Sequence, residues 1–220
     1  MASRSAADAP PSTTSLLILA GGRATRLGGA RKALLEIGGR PILGLQLDRL
    51  GPLADECLAL VHDAEWPAFD RLRLVLDPQP QAGPVPALAH GLRCAVGDVC
   101  LVVAGDMPFV SRAAFAYLQH VRAAEGAAVA VPFVDGYIES LHAVVSRREL
   151  LDALDAARSR GEQRLFNILR ALTPRLVSAD ELRAIDPELR TLFNVNSPAD
   201  LALAERIAAQ TLSTNRARPA

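Results

Sequence analysis

A pair of glycines followed by a run of cations stands at the end of the first apolar segment of this sequence. Gly21 and Gly22 leave no Cβ between the backbone N–H groups and a ligand, and glycine can adopt positive φ. The chain has zero net charge, yet no acidic residue lies between Asp8 and Glu36. A local excess of positive charge beside a bare backbone predicts a site for an anion such as a phosphate chain. The cations of this stretch are Arg23, Arg26, Arg31 and Lys32.

Two familiar phosphate-binding motifs do not fit this loop. A P-loop needs a hydroxyl residue directly after its lysine, and Ala33 follows Lys32. A dinucleotide fingerprint has the order G-x-G-x-x-G, which Gly21, Gly22 and Gly28 do not match. Lys32 is the only lysine in the chain, and it offers a compact point charge that can follow a phosphate. A solvated loop carrying several arginines is the alternative interpretation.

A second candidate for chemistry is a carboxylate at the end of another apolar run. The segment VVAGDMP, residues 102–108, places Asp106 directly after a predicted strand. In a parallel sheet this position faces the same crevice as the glycine loop. Mg²⁺ takes one or two protein carboxylates together with the phosphates of a substrate, so Asp106 is a candidate Mg²⁺ ligand. An aspartate that bonds only its own turn is the alternative.

Short aliphatic runs alternate with segments of helical spacing, as in βαβ units around a parallel sheet. A strand over 139–146 follows the turn at Asp135 and Gly136 and need not run parallel to the others. Ser111 and Ser197 are predicted helix N-caps, and Pro198 stands at a first helical position. The remaining strands are predicted over 16–20, 57–61, 72–76, 99–104 and 127–133, and the helices over 42–50, 85–96, 112–125, 147–158, 164–172 and 198–210.

This order of elements predicts an α/β fold: a Rossmann-like, doubly wound, mostly parallel but mixed sheet flanked by helices. We expect a single domain over residues 15–212, with a flexible leader at 1–14 and a flexible tail at 213–220. Neither an internal repeat nor a long linker divides the chain.

Composition excludes several other classes of protein. Half of the residues are hydrophobic and 24 basic residues balance 24 acidic ones, which indicates neither disorder nor a nucleic-acid surface. The apolar runs are far shorter than the roughly 20 residues that span a bilayer, so we expect a cytoplasmic protein without a membrane span. Neither the cysteines nor the histidines have the spacing of a zinc site. These residues are Cys57, Cys94, Cys100, His62, His90, His120 and His142.

Four stretches together resemble the molybdenum cofactor guanylyltransferases, within the larger group of nucleotidyltransferases that includes the sugar-nucleotide enzymes. They read LAGGRATRLGGARKALLEIGGRPIL, DPQPQAGPVPAL, AGDMPFV and FNVNSPADL, and the resemblance extends from about residue 15 to residue 207. It implies transfer of GMP from GTP to the terminal phosphate of molybdenum-loaded molybdopterin, with release of pyrophosphate. It also implies Mg²⁺ as the cofactor, and as partners the proteins that supply molybdopterin and mature molybdoenzymes.

The resemblance assigns roles to individual residues. It places the nucleotide on Leu19, Ala20, Gly21 and Gly22, with Lys32 on phosphate, Asp77 on guanosine and Asp106 on Mg²⁺. Arg26 and Lys32 are then the cations that stabilise the transferring phosphates. Asn194 and Asn196 match a C-terminal signature at the active-site crevice. The intact LAGG, together with AGPVPAL, favours GTP over CTP, because the related cytidylyl enzymes tend to carry LAAG.

The sequence departs from the family pattern at two places. Arg31 stands where the family usually has aspartate before the lysine, so it either strengthens phosphate binding or marks a divergent member with another acceptor. The segment HDAEWPAFD after Val61 contains no clear equivalent of a further guanosine-contacting asparagine. Two alternatives remain open: cytidylyl or sugar-phosphate nucleotidyl transfer on the same fold, and a nucleotide-binding module without catalysis.

Overall fold

A computed structural model of the chain describes residues 13–24, 29–80 and 82–216. Most of the predicted leader and the last four residues of the predicted tail lie outside these ranges, as does Arg26. The strands are β1 (Thr14–Leu19), β2 (Arg23–Ala24), β3 (Ala30–Arg31), β4 (Glu36–Ile37), β5 (Arg40–Pro41), β6 (Glu56–Val61), β7 (Leu72–Leu76), β8 (Val99–Ala104), β9 (Val129–Val134), β10 (Tyr137–Ile138), β11 (His142–Ser146) and β12 (Arg175–Ser178).

The helices follow the strands in the alternation that the sequence predicts. Short 3₁₀ turns form at Lys32–Leu34, Gly51–Leu53 and Arg190–Leu192. The α-helices are α1 (Ile42–Leu50), α2 (Pro84–Cys94), α3 (Arg112–Glu125), α4 (Arg147–Ser159), α5 (Leu165–Ala171), α6 (Ala179–Arg183) and α7 (Pro198–Arg216).

In the described part of the chain the main sheet has eight strands, with β1 at its centre. Its order is β10-β9-β11-β8-β1-β6-β7, and β12 pairs with β9. Strand β1 is parallel to β6 and β8, and β7 continues this parallel set beyond β6. Strand β11 is antiparallel to both β8 and β9. The predicted mixed, mostly parallel sheet is therefore confirmed.

Both faces of the central strands are covered, which explains why their sequences are continuous apolar runs rather than alternating ones. Successive residues of β1 point to opposite faces, so Leu17 belongs to one core and Leu16 and Ile18 to the other. Helices α2, α4 and α5 cover the first face, while α1, α3 and α6 cover the second. A smaller cluster joins α1 and α7 through Ile42 and Ala204.

The order of the parallel strands reverses between β1 and β8. In chain order these strands are β1, β6, β7 and β8, but β6 and β7 lie on one side of β1 and β8 lies on the other. Doubly wound sheets bind their ligands outside the carboxyl ends of strands at such a point. The glycine loop follows β1 and Asp106 follows β8, so both stand at this position.

Several short elements were not predicted from the sequence, and one helix was predicted too short. The unpredicted elements are strands β2, β3, β4, β5, β10 and β12, the three 3₁₀ turns and helix α6. Strand β12 has only four residues and depends on its pairing with β9. Helix α6 is a five-residue helix whose N-terminus carries a capping box between Ser178 and Glu181. The Ser-x-x-Glu spacing was a visible signal for this helix. Helix α7 extends to Arg216, beyond the predicted end at residue 210.

The cysteines do not form a reactive group. All three are free, and Cys57 and Cys100 are buried. Burial raises the pKa of the Cys100 thiol to about 12, which keeps it protonated and unreactive. None of the helices in the described ranges is both long and apolar enough to cross a bilayer.

Candidate active site

The predicted nucleotide loop leaves β1 and is tied to both neighbouring strands. Ala20 donates a backbone hydrogen bond to the carbonyl of Leu60 (2.9 Å), and the Leu19 carbonyl accepts one from Gly105 (2.9 Å). A Cβ on Gly105 would lie 2.9 Å from the Leu19 oxygen and 3.0 Å from the Cα of Ala20. Only glycine therefore permits the end of β8 to approach the loop this closely.

Gly21 is required for a different reason than the sequence indicated. Neither Gly21 nor Gly22 has positive φ, so that part of the prediction is wrong. A Cβ on Gly21 would lie 2.5 Å from Nε2 of His62, because the imidazole packs directly against the loop. The absence of a side chain at Gly21 makes room for this ring.

Lys32 and Asp106, predicted independently from two motifs, lie in direct contact. The Lys32 ammonium donates to Oδ2 of Asp106 (2.8 Å) and to Oδ1 of Asn196 (2.5 Å). The side chains of Lys32 and Asp106 are 20% and 17% exposed. Three segments separated by 74 and 164 residues thus converge on one ammonium group.

The start of α7 holds Asn196 in place. Val195 donates its N–H to the carbonyl of Asp106 (2.9 Å), which fastens this segment to the turn after β8. Ser197 caps the helix by accepting from the N–H of Asp200 (3.2 Å), as predicted. The Asp200 carboxylate accepts from the N–H of Asn196 (3.0 Å), and this bond contributes to a pKa of Asp200 below its usual value.

A cavity of about 350 Å³ opens between the loop, the ends of β6 to β8 and the start of α2. Asp77 follows β7 and is almost fully buried there, with its carboxylate accepting from the N–H of Gln79 (2.9 Å). The other carboxylate oxygen lies 3.8 Å from Nε2 of His62. The predicted residues that line this cavity are Leu19, Ala20, Gly21, Gly22, Lys32, Asp77 and Asp106.

The stretch AGPVPAL, which by resemblance favours GTP, also reaches this cavity. Gly83 and Pro84 both line it, at the N-terminus of α2. Gly83 has φ of 92°, a conformation that favours glycine, and Pro84 occupies the first turn of the helix. Sequence reasoning missed His62, another lining residue. Its signal was its position, since it directly follows β6 at the same edge of the sheet.

The geometry around Asp106 is compatible with one divalent cation. Its Oδ2 atom accepts from Lys32, while its Oδ1 atom is buried and has no hydrogen-bond partner among the described residues. Those residues include no group of three or more His, Cys, Asp or Glu side chains that could hold a metal by themselves. A single carboxylate that shares the ion with substrate phosphates is the arrangement that Mg²⁺ accepts.

Arg31 is not among the described residues that line the cavity, so the first of its two alternatives, an added cation for phosphate, finds no support there. Its guanidinium donates to Oδ1 of Asp63 (2.7 Å) and lies 5.5 Å from the ring centroid of Trp66. Both partners belong to HDAEWPAFD, the segment that contains no clear equivalent of the guanosine-contacting asparagine. The two places where the sequence departs from the family pattern, Arg31 and this segment, are therefore in direct contact.

Asn194 is separated from the nucleotide cavity. Its side-chain amide donates to the carbonyl of Leu192 (3.0 Å), and it lines a second cavity on the other side of Asp106. Of the two asparagines of FNVNSP, Asn196 contacts Lys32 at the nucleotide cavity, whereas Asn194 lines the second cavity.

Residues 16–176 match the protein family described as the MobA-like NTP transferase domain. A protein of Methanosarcina acetivorans, named a probable molybdenum cofactor guanylyltransferase, is 33% identical over 197 residues, which cover 85% of this chain and 88% of that protein. A protein of Chloroflexus aggregans with the same name is 32% identical over 193 residues, covering 86% and 92%.

Solved structures of nucleotidyltransferases also superpose on this chain. The molybdopterin-guanine dinucleotide biosynthesis protein A of Archaeoglobus fulgidus superposes with a TM-score of 0.75 at 25% identity, over 89% of this chain and 99% of that one. The 2-C-methyl-D-erythritol 4-phosphate cytidylyltransferase of Thermus thermophilus superposes with a TM-score of 0.69 at 26% identity, over 90% and 99%. These matches agree with the resemblance noted in the sequence.

Proposed function

The chain belongs to the MobA-like NTP transferase domain family, and from this premise we propose that it is a molybdenum cofactor guanylyltransferase. It transfers GMP from GTP to the terminal phosphate of molybdenum-loaded molybdopterin, giving molybdopterin guanine dinucleotide and pyrophosphate. The observation that supports this most directly is the contact between Lys32, Asp106 and Asn196 beside the LAGG loop. It brings a cation, a metal ligand and a neutral acceptor to one edge of the nucleotide cavity.

In this proposal the nucleotide lies between the glycine loop and the ends of β6 and β7. The N–H groups of Gly21 and Gly22 face the triphosphate, and Leu19 and Ala20 border it. Asp77 accepts from the guanosine part, with His62 beside it at 3.8 Å. Because guanine presents adjacent N–H donors and cytosine does not, a buried carboxylate favours GTP.

The chemical step needs electrostatic stabilisation and no protein nucleophile. An oxygen of the acceptor phosphate forms a bond to the α-phosphorus of GTP, and the bond from that phosphorus to the pyrophosphate oxygen breaks. Negative charge grows on the departing pyrophosphate. Lys32 donates to a phosphate oxygen there, and Arg26, outside the described residues, is proposed as a second cation.

We further propose Mg²⁺ as the cofactor, with Asp106 as its protein ligand. When bound, the ion neutralises phosphate charge and makes the α-phosphorus more electrophilic. Lys32 orients the Asp106 carboxylate through their hydrogen bond, and Asn196 keeps the Lys32 ammonium in place. Asn194 borders the acceptor from the other side of Asp106.

The substrates suggest where the protein works and with what. GTP and a water-soluble pterin phosphate are available in the cytoplasm, so we propose that location. The proteins that supply molybdopterin and that receive the dinucleotide are the partners that this reaction requires.

A cytidylyltransferase on the same fold is a second candidate, because the Thermus thermophilus enzyme superposes well on this chain. Initial rates of pyrophosphate release with GTP and with CTP, each with and without molybdenum-loaded molybdopterin, separate the two. We expect pyrophosphate release that depends on molybdopterin and is at least about tenfold faster with GTP than with CTP. A preference for CTP would instead favour the second candidate, and GTP binding without release would indicate a non-catalytic module.

A further inference from the structure

Three cavities follow one another from the nucleotide loop to the far side of Asp106. The nucleotide cavity and the second cavity share Ala104, Asp106 and Leu141. The second cavity and a third one share Glu139, which follows β10. The second cavity therefore adjoins the nucleotide cavity at Asp106 and the third cavity at Glu139.

The backbone of Glu139 is fixed on both sides. Its N–H donates to the carbonyl of Pro132 (3.0 Å), and its carbonyl accepts from the N–H of His142 (2.9 Å). These bonds tie the residue to β9 and β11. The backbone position from which its side chain starts is therefore held at the edge of the sheet.

The Glu139 carboxylate itself has no hydrogen bond or ion pair with the residues that the structure describes. It is half-buried, and burial alone raises its pKa. A carboxylate that has lost water without gaining a donor is destabilised, and a ligand with N–H groups would offset that loss.

The other polar side chains around Glu139 already have partners. In the third cavity Arg190 forms an ion pair with Glu188. In the second cavity the Asn194 amide donates to the Leu192 carbonyl, and Asp106 accepts from Lys32. Among the described carboxylates of these two cavities, Glu139 is the one that lacks a partner.

The third cavity also offers an aromatic surface. The ring of Phe193 lines it and packs at 5.7 Å against Phe109, in a tilted arrangement that keeps it in place. Planar heterocycles stack favourably on such rings.

We propose that Glu139 recognises the acceptor substrate by accepting two hydrogen bonds from adjacent N–H groups on the edge of a planar heterocycle. The aminopyrimidinone edge of a pterin has this chemistry, and a carboxylate matches it with two parallel hydrogen bonds. The phosphate at the other end of the same molecule reaches Asp106. This inference rests on the proposed function, and it assigns a specificity role to a residue outside the nucleotide cavity.

The test is the affinity for molybdopterin, measured by calorimetry with Mg²⁺ and a GTP analogue that cannot react. Glu139→Gln keeps the size of the side chain but replaces one accepting oxygen with a donor. We expect it to weaken molybdopterin binding at least about tenfold and to leave affinity for the GTP analogue unchanged. Asp135→Asn makes the same chemical change at an exposed position of the same hairpin, and should leave both affinities unchanged.

A pair of small competitors adds a readout that a structural defect would not produce. Hydroxymethylpterin carries the amino group, and hydroxymethyllumazine has an oxygen in its place. The parent protein should prefer the pterin, and Glu139→Gln should lose that preference.

Equal molybdopterin affinity in the parent and in Glu139→Gln would overturn the inference, as would a parent that does not bind molybdopterin. Pyrophosphate release from GTP on addition of molybdenum-loaded molybdopterin then decides whether the proposed function fails as well. Release without an effect of Glu139→Gln contradicts only the role of Glu139.

Discussion

At the scale of single residues, Lys32 links the two motifs that the sequence suggests separately. A lysine donates in three directions from one small ammonium group, whereas the guanidinium of arginine is a wide planar fork. Two of these directions are taken by Asp106 and Asn196. The third is the direction that a phosphate oxygen can use.

Asp106→Asn tests whether the Asp106 carboxylate binds Mg²⁺. The change keeps the size of the side chain but removes the negative charge that attracts Mg²⁺ and pairs with Lys32. We expect turnover to fall at least about a hundredfold, and the Mg²⁺ concentration for half-maximal rate to rise. Steady-state pyrophosphate release across a Mg²⁺ titration measures both, with circular dichroism to establish folding. A folded variant with unchanged Mg²⁺ dependence would remove Asp106 from the metal site.

Gly21→Ala tests why the loop needs glycine. The added Cβ would lie 2.5 Å from His62, so either the ring or the loop must move. We expect GTP affinity, measured by calorimetry, to fall at least about tenfold. His62→Ala removes the obstructing ring. Gly21→Ala should therefore cost less GTP affinity in the His62→Ala variant than in the parent protein. Equal losses in both backgrounds would mean that His62 does not impose this requirement.

At the scale of elements, the hairpin of β2 and β3 is fastened to the loop after β6. Arg31 at the end of β3 bonds Asp63 and lies over Trp66, so its charge is directed to the protein. The side chains of Arg31 and Asp63 are 31% and 35% exposed, which leaves the pair partly screened by water. We therefore expect this pair to position the hairpin rather than to hold phosphate.

Arg31→Met and Asp63→Asn, singly and together, test this assignment. A double-mutant cycle on urea unfolding should give a coupling energy of up to about 1 kcal/mol, because the pair is partly exposed. GTP affinity should change less than about threefold in Arg31→Met, since the guanidinium does not line the nucleotide cavity. A loss of GTP affinity as large as that of Lys32→Met would mean that Arg31 contacts the nucleotide.

The elements that the sequence predicted well are those set by local patterns. Strands β1, β6, β7 and β8 are apolar runs ended by glycine, histidine or aspartate, and their parallel order brings the motif residues together. The contact of Arg31 with Asp63 spans 32 residues, and no local pattern encodes it. The requirement for glycine at Gly21 depends on the His62 ring, another non-local contact. Strand β12 was too short to give a pattern of its own.

At the scale of the whole molecule, the sheet buries a histidine on one of its inner strands. His142 on β11 is fully buried, packs 4.3 Å from the ring of Phe115 and approaches the Thr191 hydroxyl (3.4 Å). Burial lowers its pKa from 6.5 to about 3. The folded protein therefore holds this ring neutral at pH values where the unfolded chain protonates it.

This difference predicts an acid-sensitive contribution to stability. The unfolded chain binds the extra proton between about pH 6.5 and 3, so the contribution is complete above pH 6.5 and declines below it. Its slope approaches about 1.4 kcal/mol per pH unit. Urea unfolding at pH 7, 6 and 5 should show a shallower decline for His142→Gln than for the parent. His120→Gln, at an exposed position of α3, should retain the decline of the parent, and equal slopes in all three proteins would contradict the prediction.

Transfer of GMP to a molybdopterin phosphate at one edge of this sheet can be followed directly. The most direct measurement uses GTP labelled at its α-phosphorus, incubated with Mg²⁺, molybdenum-loaded molybdopterin and the full-length protein, followed by separation of the products. We expect the label to appear in molybdopterin guanine dinucleotide and the released pyrophosphate to be unlabelled. Label that remains in GTP, or a dinucleotide that forms only when CTP replaces GTP, would contradict this expectation.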